Sequence, residues 1–229
     1  MNTQEREKSI ASSTGKELEV HSIFRTIQGE GPFTGFPAIF IRLAGCNLQC
    51  PGCDTEYTQG RQRMSLEEIY NTMVSAECAG PRLVVITGGE PFRQNISILA
   101  NTLLKAGFRV QVETNGTLPP SKNLDDRVVV VCSPKTGSVN TKMTSRANCY
   151  KYVMHADSVD PKDGLPILAL DHSASPKVAR PPAGMTVYLQ PMDSQNITQN
   201  HRNMMAVKDS CIKNGYILQL QIHKILGVE

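Results

Sequence analysis

The sequence predicts an α/β fold in which a largely parallel sheet is wrapped into a whole or partial β/α barrel. Three observations carry that reading. Strand-like and helix-like segments alternate along most of the 229 residues, the order that builds parallel sheets through helical crossovers. The helical segments are apolar along one stripe, so each needs a sheet to cover. The strands are apolar on one face and polar on the other, which turns the apolar faces outward under helices and the polar faces into a shared lumen.

Residues 1–18 read as a polar tail that frays, followed by a single domain over residues 19–229. In residues 38–44, Ile39, Ile41 and Leu43 share one face and Arg42 takes the other. Ser65-Leu66-Glu67-Glu68 is a capping box that opens a helix running toward Cys78. An apolar strand at residues 83–86 follows. Ile96, Leu99, Ala100, Leu103 and Leu104 then fall on one helical stripe, with Asn95 as N-cap and Gly107 as terminator. In residues 110–114, Val110 and Val112 oppose Gln111 and Glu113. Prolines and repeated Asp, Gly and Ser make residues 155–185 mostly loop. A helix over residues 197–213 stops near Gly215, and a last strand alternates Leu218, Leu220 and Ile222 with Gln219, Gln221 and His223. An exposed antiparallel sheet gives the same alternation in any single strand.

Composition narrows the function. Hydrophobic residues at 40% and charged residues at 20% are ordinary for a soluble globular chain. No apolar run approaches the ~20 residues a membrane span needs. The polar start lacks the apolar centre of a secretory signal, so the expected location is cytoplasmic and reducing. A net charge of +3, spread along the chain, fits a small-molecule partner and no nucleic-acid surface.

Of the seven cysteines, Cys78, Cys132, Cys149 and Cys211 are scattered and read as small buried apolar residues without a role. Cys46, Cys50 and Cys53 differ: they form a CxxxCxxC loop directly after the strand at 38–44. Three thiolates on one short loop can hold three irons of a cubane and leave the fourth open for chemistry. Structural zinc is closed by four protein ligands, and the electron-carrying four-iron cluster by four cysteines. A closed zinc or iron–sulfur site is the alternative, although no second pair with zinc-site spacing follows. Thr87-Gly88-Gly89-Glu90-Pro91 ends the strand at 83–86, where two glycines bring backbone close to a ligand or simply make a turn.

Together, the cysteine loop and Gly88-Gly89-Glu90-Pro91 resemble the radical S-adenosylmethionine (radical SAM) superfamily, whose GGEP element binds the methionyl amine. Further runs narrow the resemblance: Gln28-Gly29-Glu30-Gly31-Pro32, Phe40-Ile41-Arg42-Leu43, Cys53-Asp54-Thr55, Glu113-Thr114-Asn115-Gly116-Thr117, Ser133-Pro134-Lys135, Gln190-Pro191 and Gln221-Ile222-His223-Lys224. In this order they are similar to the 7-carboxy-7-deazaguanine synthase family. The resemblance implies a modified or partial barrel of the radical SAM type. It implies conversion of 6-carboxy-5,6,7,8-tetrahydropterin to 7-carboxy-7-deazaguanine with loss of ammonia, started by a 5′-deoxyadenosyl radical. It also implies a [4Fe-4S] cluster, SAM and Mg²⁺ as cofactors, a flavodoxin-like reductant and a homodimer.

The residue roles it implies are as follows. Cys46, Cys50 and Cys53 ligate the cluster, and Thr55 gives its hydroxyl to Mg²⁺, with a turn threonine as the ordinary alternative. SAM is met by Gly52, Cys53, Asp54, Gly88, Gly89 and Glu90, then by Ser133, Pro134 and Lys135, and by Gln190, Pro191, Met192 and Asp193. The substrate is met by Ile27, Gln28, Gly29 and Glu30 at its ring edge, by Arg42 at its carboxylate, and by Thr87, His223 and the C-terminal Glu229. Glu113 and His223 take part in catalysis. Arg42 has a structural ion pair as its alternative, and His223 a satisfied structural role. A glycyl-radical activase shares the cysteine loop but is not expected to pair it with Gln28-Gly29-Glu30 and a terminal histidine segment.

Overall fold

The chain enters the sheet on a long strand, β1 (Glu17–Ile27), which pairs antiparallel with β2 (Pro37–Leu43) on one side and β3 (Gln62–Ser65) on the other. The structure, a computed structural model, describes residues 3–74, 82–170 and 177–228. From β2 onward each step is parallel, through β4 (Leu83–Gly88), β5 (Arg109–Thr114), β6 (Val129–Cys132), β7 (Cys149–Met154), β8 (Val187–Pro191) and β9 (Ile217–Leu218). Among the described residues the order is β3-β1-β2-β4-β5-β6-β7-β8-β9, so β3 and β9 are open edges and the barrel is partial.

The helices are α1 (Leu66–Val74), α2 (Ser97–Lys105), α3 (Thr141–Arg146), α4 (Ile197–Asn214) and α5 (Ile222–Leu226). The capping box forms: the Ser65 hydroxyl accepts from the Glu68 amide at 3.2 Å while the Glu68 carboxylate accepts from the Ser65 amide at 2.7 Å. The stretch of that helix expected toward Cys78 lies outside the described residues. Asn95 accepts from the Ser97 amide at 3.3 Å and so serves the start of α2, which is assigned one residue later than expected. Gly215 takes the left-handed conformation, φ 76°, that ends α4.

The main core lies between the sheet and its helices. Ile39, Ile41 and Leu43 of β2, Val84 and Ile86 of β4, and Val110 and Val112 of β5 pack there with Ile69, Leu99, Leu103 and Val207 from the helices. Full burial of each such side chain contributes roughly 1.5–3 kcal/mol. Along β7 the same alternation puts Tyr150 and Tyr152 into this core. Their neighbour Lys151 faces the lumen, as do Arg42, Thr87 and Glu113.

The end of the chain differs from the expected strand. Only Ile217 and Leu218 pair with β8, and Ile222 and His223 belong to α5. Ile222, Ile225 and Leu226 recur at helical spacing, which competes with the alternation that ends at Ile222. At the other end, the expected boundary at residue 18 falls inside β1. Upstream of it, the Glu7 amide donates to the Cys46 carbonyl at 2.7 Å and the Ile10 amide to the Arg93 carbonyl at 2.7 Å. Gln4 donates to the Thr55 carbonyl at 2.8 Å and accepts from the Tyr57 amide at 2.8 Å.

Candidate active site

The cysteine loop springs from the end of β2, and glycines let β4 close beneath it. A Cβ on Gly88 would stand 2.0 Å from the Leu43 carbonyl oxygen, and one on Gly89 2.2 Å from that of Gly45. The two glycines thus bring backbone against backbone at the root of the loop. Gly45 itself has φ 80°, with the Arg93 guanidinium packed where a side chain would go. That guanidinium is tied to the Ala44 carbonyl at 3.0 Å, to Glu7 at 3.2 Å and to Glu19.

Cys46 and Cys50 are buried and Cys53 half-buried. Burial pushes the Cys46 thiol up to about 12, against a hydrogen bond from the Leu48 amide, and the charges of Glu90, Cys50 and Cys53 push the same way. Burial likewise raises Cys50 and Cys53. Three thiols that repel one another's charge in a poorly solvated pocket are suited to a cationic cluster, which stabilises all three thiolates. Among the described residues no group of three His, Cys, Asp or Glu side chains is gathered as a ready single-ion site. The fit to a cluster therefore rests on the spacing, burial and mutual proximity of these thiols. For Mg²⁺, Thr55 and Asp54 place hard oxygen donors together on the cavity wall, the Thr55 hydroxyl bonded to the Asp54 carboxylate at 3.3 Å.

Glu90 turns inward. Its fully buried carboxylate accepts from the Phe92 amide at 3.0 Å, the Thr114 hydroxyl at 2.7 Å and the Asn115 amide at 2.8 Å. Burial pushes its carboxyl up against the pull of these donors. Its side chain stitches the end of β4 to the end of β5. Asn115 continues the stitching: its side-chain Nδ2 donates to the Asn47 Oδ1 at 3.0 Å and reaches the Cys46 sulfur at 4.0 Å.

Below the loop lie two adjoining cavities. The larger, about 460 Å³, brings together Ile27, Gln28, Gly29 and Glu30 with Arg42, Asp54, Thr55, Thr87, Glu113 and His223. Its floor is aromatic: Phe24 stacks on Phe40 at 5.4 Å, and the Arg42 guanidinium lies 5.0 Å over the Phe24 ring. Glu113 accepts from Gln28 and Gln111, each at 3.0 Å, and from Thr87 at 3.4 Å. Gly29 admits His223, whose Nδ1 stands 1.9 Å from where a Cβ would be. The smaller cavity, about 180 Å³, is lined by Gly52, Ser133, Lys135, Gln190, Met192 and Asp193. Lys135 donates to the Ser133 carbonyl at 2.8 Å and hydroxyl at 2.6 Å, and burial lowers its ammonium pKa. Pro134 and Pro191 flank these contacts, Pro191 as the last residue of β8. Glu229 lies outside the described residues.

The structure also brings in residues that the sequence reading gave no role. Lys151 faces both cavities and pairs with Glu30, which accepts in addition from Gln190 at 3.1 Å and Gln221 at 2.7 Å. Gln219 accepts from the Gly31 amide at 2.7 Å. A lysine between two tyrosines in Cys149–Met154 was the available sign: with Tyr150 and Tyr152 in the core, the residue between them must face the lumen.

An open barrel with a three-cysteine loop at its rim, above a polar double cavity, defines a class of enzyme, and the Radical SAM superfamily profile matches residues 40–136. A 7-carboxy-7-deazaguanine synthase from Rhodospirillum rubrum is 39% identical over 93% of this chain and 94% of its own. One from Rickettsia prowazekii is 38% identical over 97% and 93%. The solved structure of QueE from Escherichia coli superposes with a TM-score of 0.68 at 27% identity, over 91% of this chain and 98% of that one. The chain belongs to the 7-carboxy-7-deazaguanine synthase family.

Proposed function

We propose that the chain is a radical SAM enzyme that converts 6-carboxy-5,6,7,8-tetrahydropterin to 7-carboxy-7-deazaguanine and ammonia. The observation that carries the reading is the larger cavity: directly under the cysteine loop it offers a cation over an aromatic floor on one side and two carboxylates, Glu30 and Glu113, on the other. A heterocycle with a carboxylate on a reduced ring at one end and a planar edge of N–H donors at the other matches that polarity.

When bound, the cluster and SAM supply the hydrogen-abstracting radical, and Mg²⁺ supplies a positive charge beside the substrate. The chain's own residues bind and orient. Arg42 takes the substrate carboxylate by a two-pronged donor set. Glu30, with Gln28 and the backbone at Ile27 and Gly29, reads the ring edge. Glu113, held by Gln28, Gln111 and Thr87, lies on the reacting side, and His223 closes the cavity over Gly29 and moves protons there. Cys46, Cys50 and Cys53 hold the cluster, and Thr55 with Asp54 the Mg²⁺. Ser133, Lys135, Gln190 and Asp193 hold SAM in the smaller cavity, Lys135 facing the methionyl carboxylate. Glu90, whose carboxylate is consumed internally, positions Gly88 and Gly89.

With this reading come a cytoplasmic location, a flavodoxin-like reductant and a homodimer. No helix among the described residues is long and apolar enough to cross a membrane. The test is anaerobic reconstitution, followed by SAM, Mg²⁺, reductant and carboxytetrahydropterin. The expected product has the mass and ultraviolet spectrum of 7-carboxy-7-deazaguanine; SAM cleavage without that product defeats the proposal.

A further inference from the structure

Lys151 belongs to none of the short runs that carry the resemblance, yet it occupies the wall common to both cavities. It cannot turn outward. Its strand neighbours Tyr150 and Tyr152 are fixed in the core on the opposite face, and its backbone is paired to Tyr188 of β8. Its side chain is 9% exposed and that of its partner Glu30 13%. Glu30 comes from the connection after β1, Lys151 from β7, Gln190 from β8 and Gln221 from the segment before α5, so this carboxylate joins four parts of the barrel.

Two buried, oppositely charged side chains do little for stability that an apolar pair would not do as well. What an ion pair provides here is an oriented acceptor. An ionised carboxylate has about four lone-pair sites, whereas a protonated one turns one oxygen into a donor. Lys151, Gln190 and Gln221 take three of those sites, which leaves one for an N–H of the pterin edge, and only the ionised form is sure to keep it an acceptor.

Resting on the proposed substrate, we infer that Lys151 is a positioning residue for that substrate: it holds the Glu30 carboxylate in place with an acceptor site turned to an N–H donor of the ring. Burial alone pushes the Glu30 carboxyl upward; the charge and hydrogen bond of Lys151, then Gln221 and Gln190, bring it well below the ordinary range. The other charged groups around the pair are Arg42, Asp54, Glu113, Lys135, Asp193, His223 and Lys224, all of which remain when Lys151 is replaced.

The test uses the reconstituted, SAM-loaded enzyme under anaerobic conditions, with 6-carboxypterin as a fluorescent probe at pH 6 and pH 7.5. Each variant is divided by wild type at the same pH, which cancels every pH effect the two share, titration of the probe included. Lys151→Met is expected to weaken probe binding about tenfold or more at pH 6 and distinctly less at pH 7.5, because unopposed burial protonates Glu30 at the lower pH. Lys151→Arg keeps the charge and should stay within about threefold of wild type. Iron content should be unchanged in both, and SAM affinity should change less than probe affinity.

A ratio for Lys151→Met that is the same at both pH values overturns the inference, as does loss of SAM binding with probe binding intact. Should that variant fail to load iron, the Glu30→Gln/Lys151→Met double variant, free of unpaired buried charge, decides: weak, pH-flat binding supports the inference and wild-type affinity refutes it. Wild-type turnover separates this from the reaction itself. Product without the pH-dependent ratio removes only the role of Lys151. The ratio without product removes the reaction and leaves the Lys151–Glu30 relation standing.

Discussion

The two walls of the lumen are built differently. The wall formed by β2, β4 and the loop from Cys46 to Thr55 works through backbone: glycines at 88 and 89 let main chains meet, and the carboxylate of Glu90 binds main-chain amides. The wall formed by β7, β8, α5 and the segment before α5 works through isolated side chains, Lys151, Gln190, His223 and Gln221 in turn. Backbone sites need a continuous run of small or turn-forming residues, whereas side-chain sites need one residue per strand.

Substitutions on the two walls should therefore fail in different ways. The largest effect is expected on the first wall. Cys50→Ala removes a cluster ligand, and reconstituted protein should lose its iron–sulfur absorbance and all turnover. If full iron content and activity persisted, Cys50 would not be a ligand.

Next comes the second wall. In Gly29→Ala the new methyl collides with the His223 ring and must displace it, so kcat should fall by about 10²-fold with iron content intact. Unchanged kcat would remove His223 from the mechanism. Glu90→Gln returns to the first wall and to stability: an amide offers a single acceptor oxygen and turns an NH₂ toward a backbone donor. Chemical denaturation should show a loss of about 1–3 kcal/mol; a neutral result would mean that the stitch between β4 and β5 is dispensable. The smallest effect is expected for Gln4→Ala, which cuts two hydrogen bonds to the segment at Thr55 and Tyr57. A stability loss of up to about 1 kcal/mol per bond, together with a higher Mg²⁺ requirement, would show that the first residues brace this wall.

The same contrast sets what was legible in the sequence. Cys46, Cys50, Cys53, Gly88 and Gly89 stand in runs that declare themselves. The alternation in β2 and β5 correctly turned Arg42 and Glu113 inward, because a period of two survives in strands covered by helices on one face only. Lys151 was not found: its strand, Cys-Tyr-Lys-Tyr-Val-Met, carries the alternation, but tyrosines do not announce which face is core. His223 was placed in the cavity but on the wrong element, since alternation through Ile222 masks the helical spacing of Ile222, Ile225 and Leu226. The part played by residues 3–10 was illegible because it consists of main-chain bonds and ion pairs to Cys46 and Arg93, for which a polar stretch carries no pattern.

Because Glu30, Lys151 and Gln221 border both cavities, an occupant of either compartment meets the same three side chains. Whatever factor an occupant of one imposes on affinity in the other must be returned in equal measure. Calorimetric titrations run in both orders of addition would measure a single coupling constant, and its sign would tell whether the common partition is tightened or spent by the first arrival.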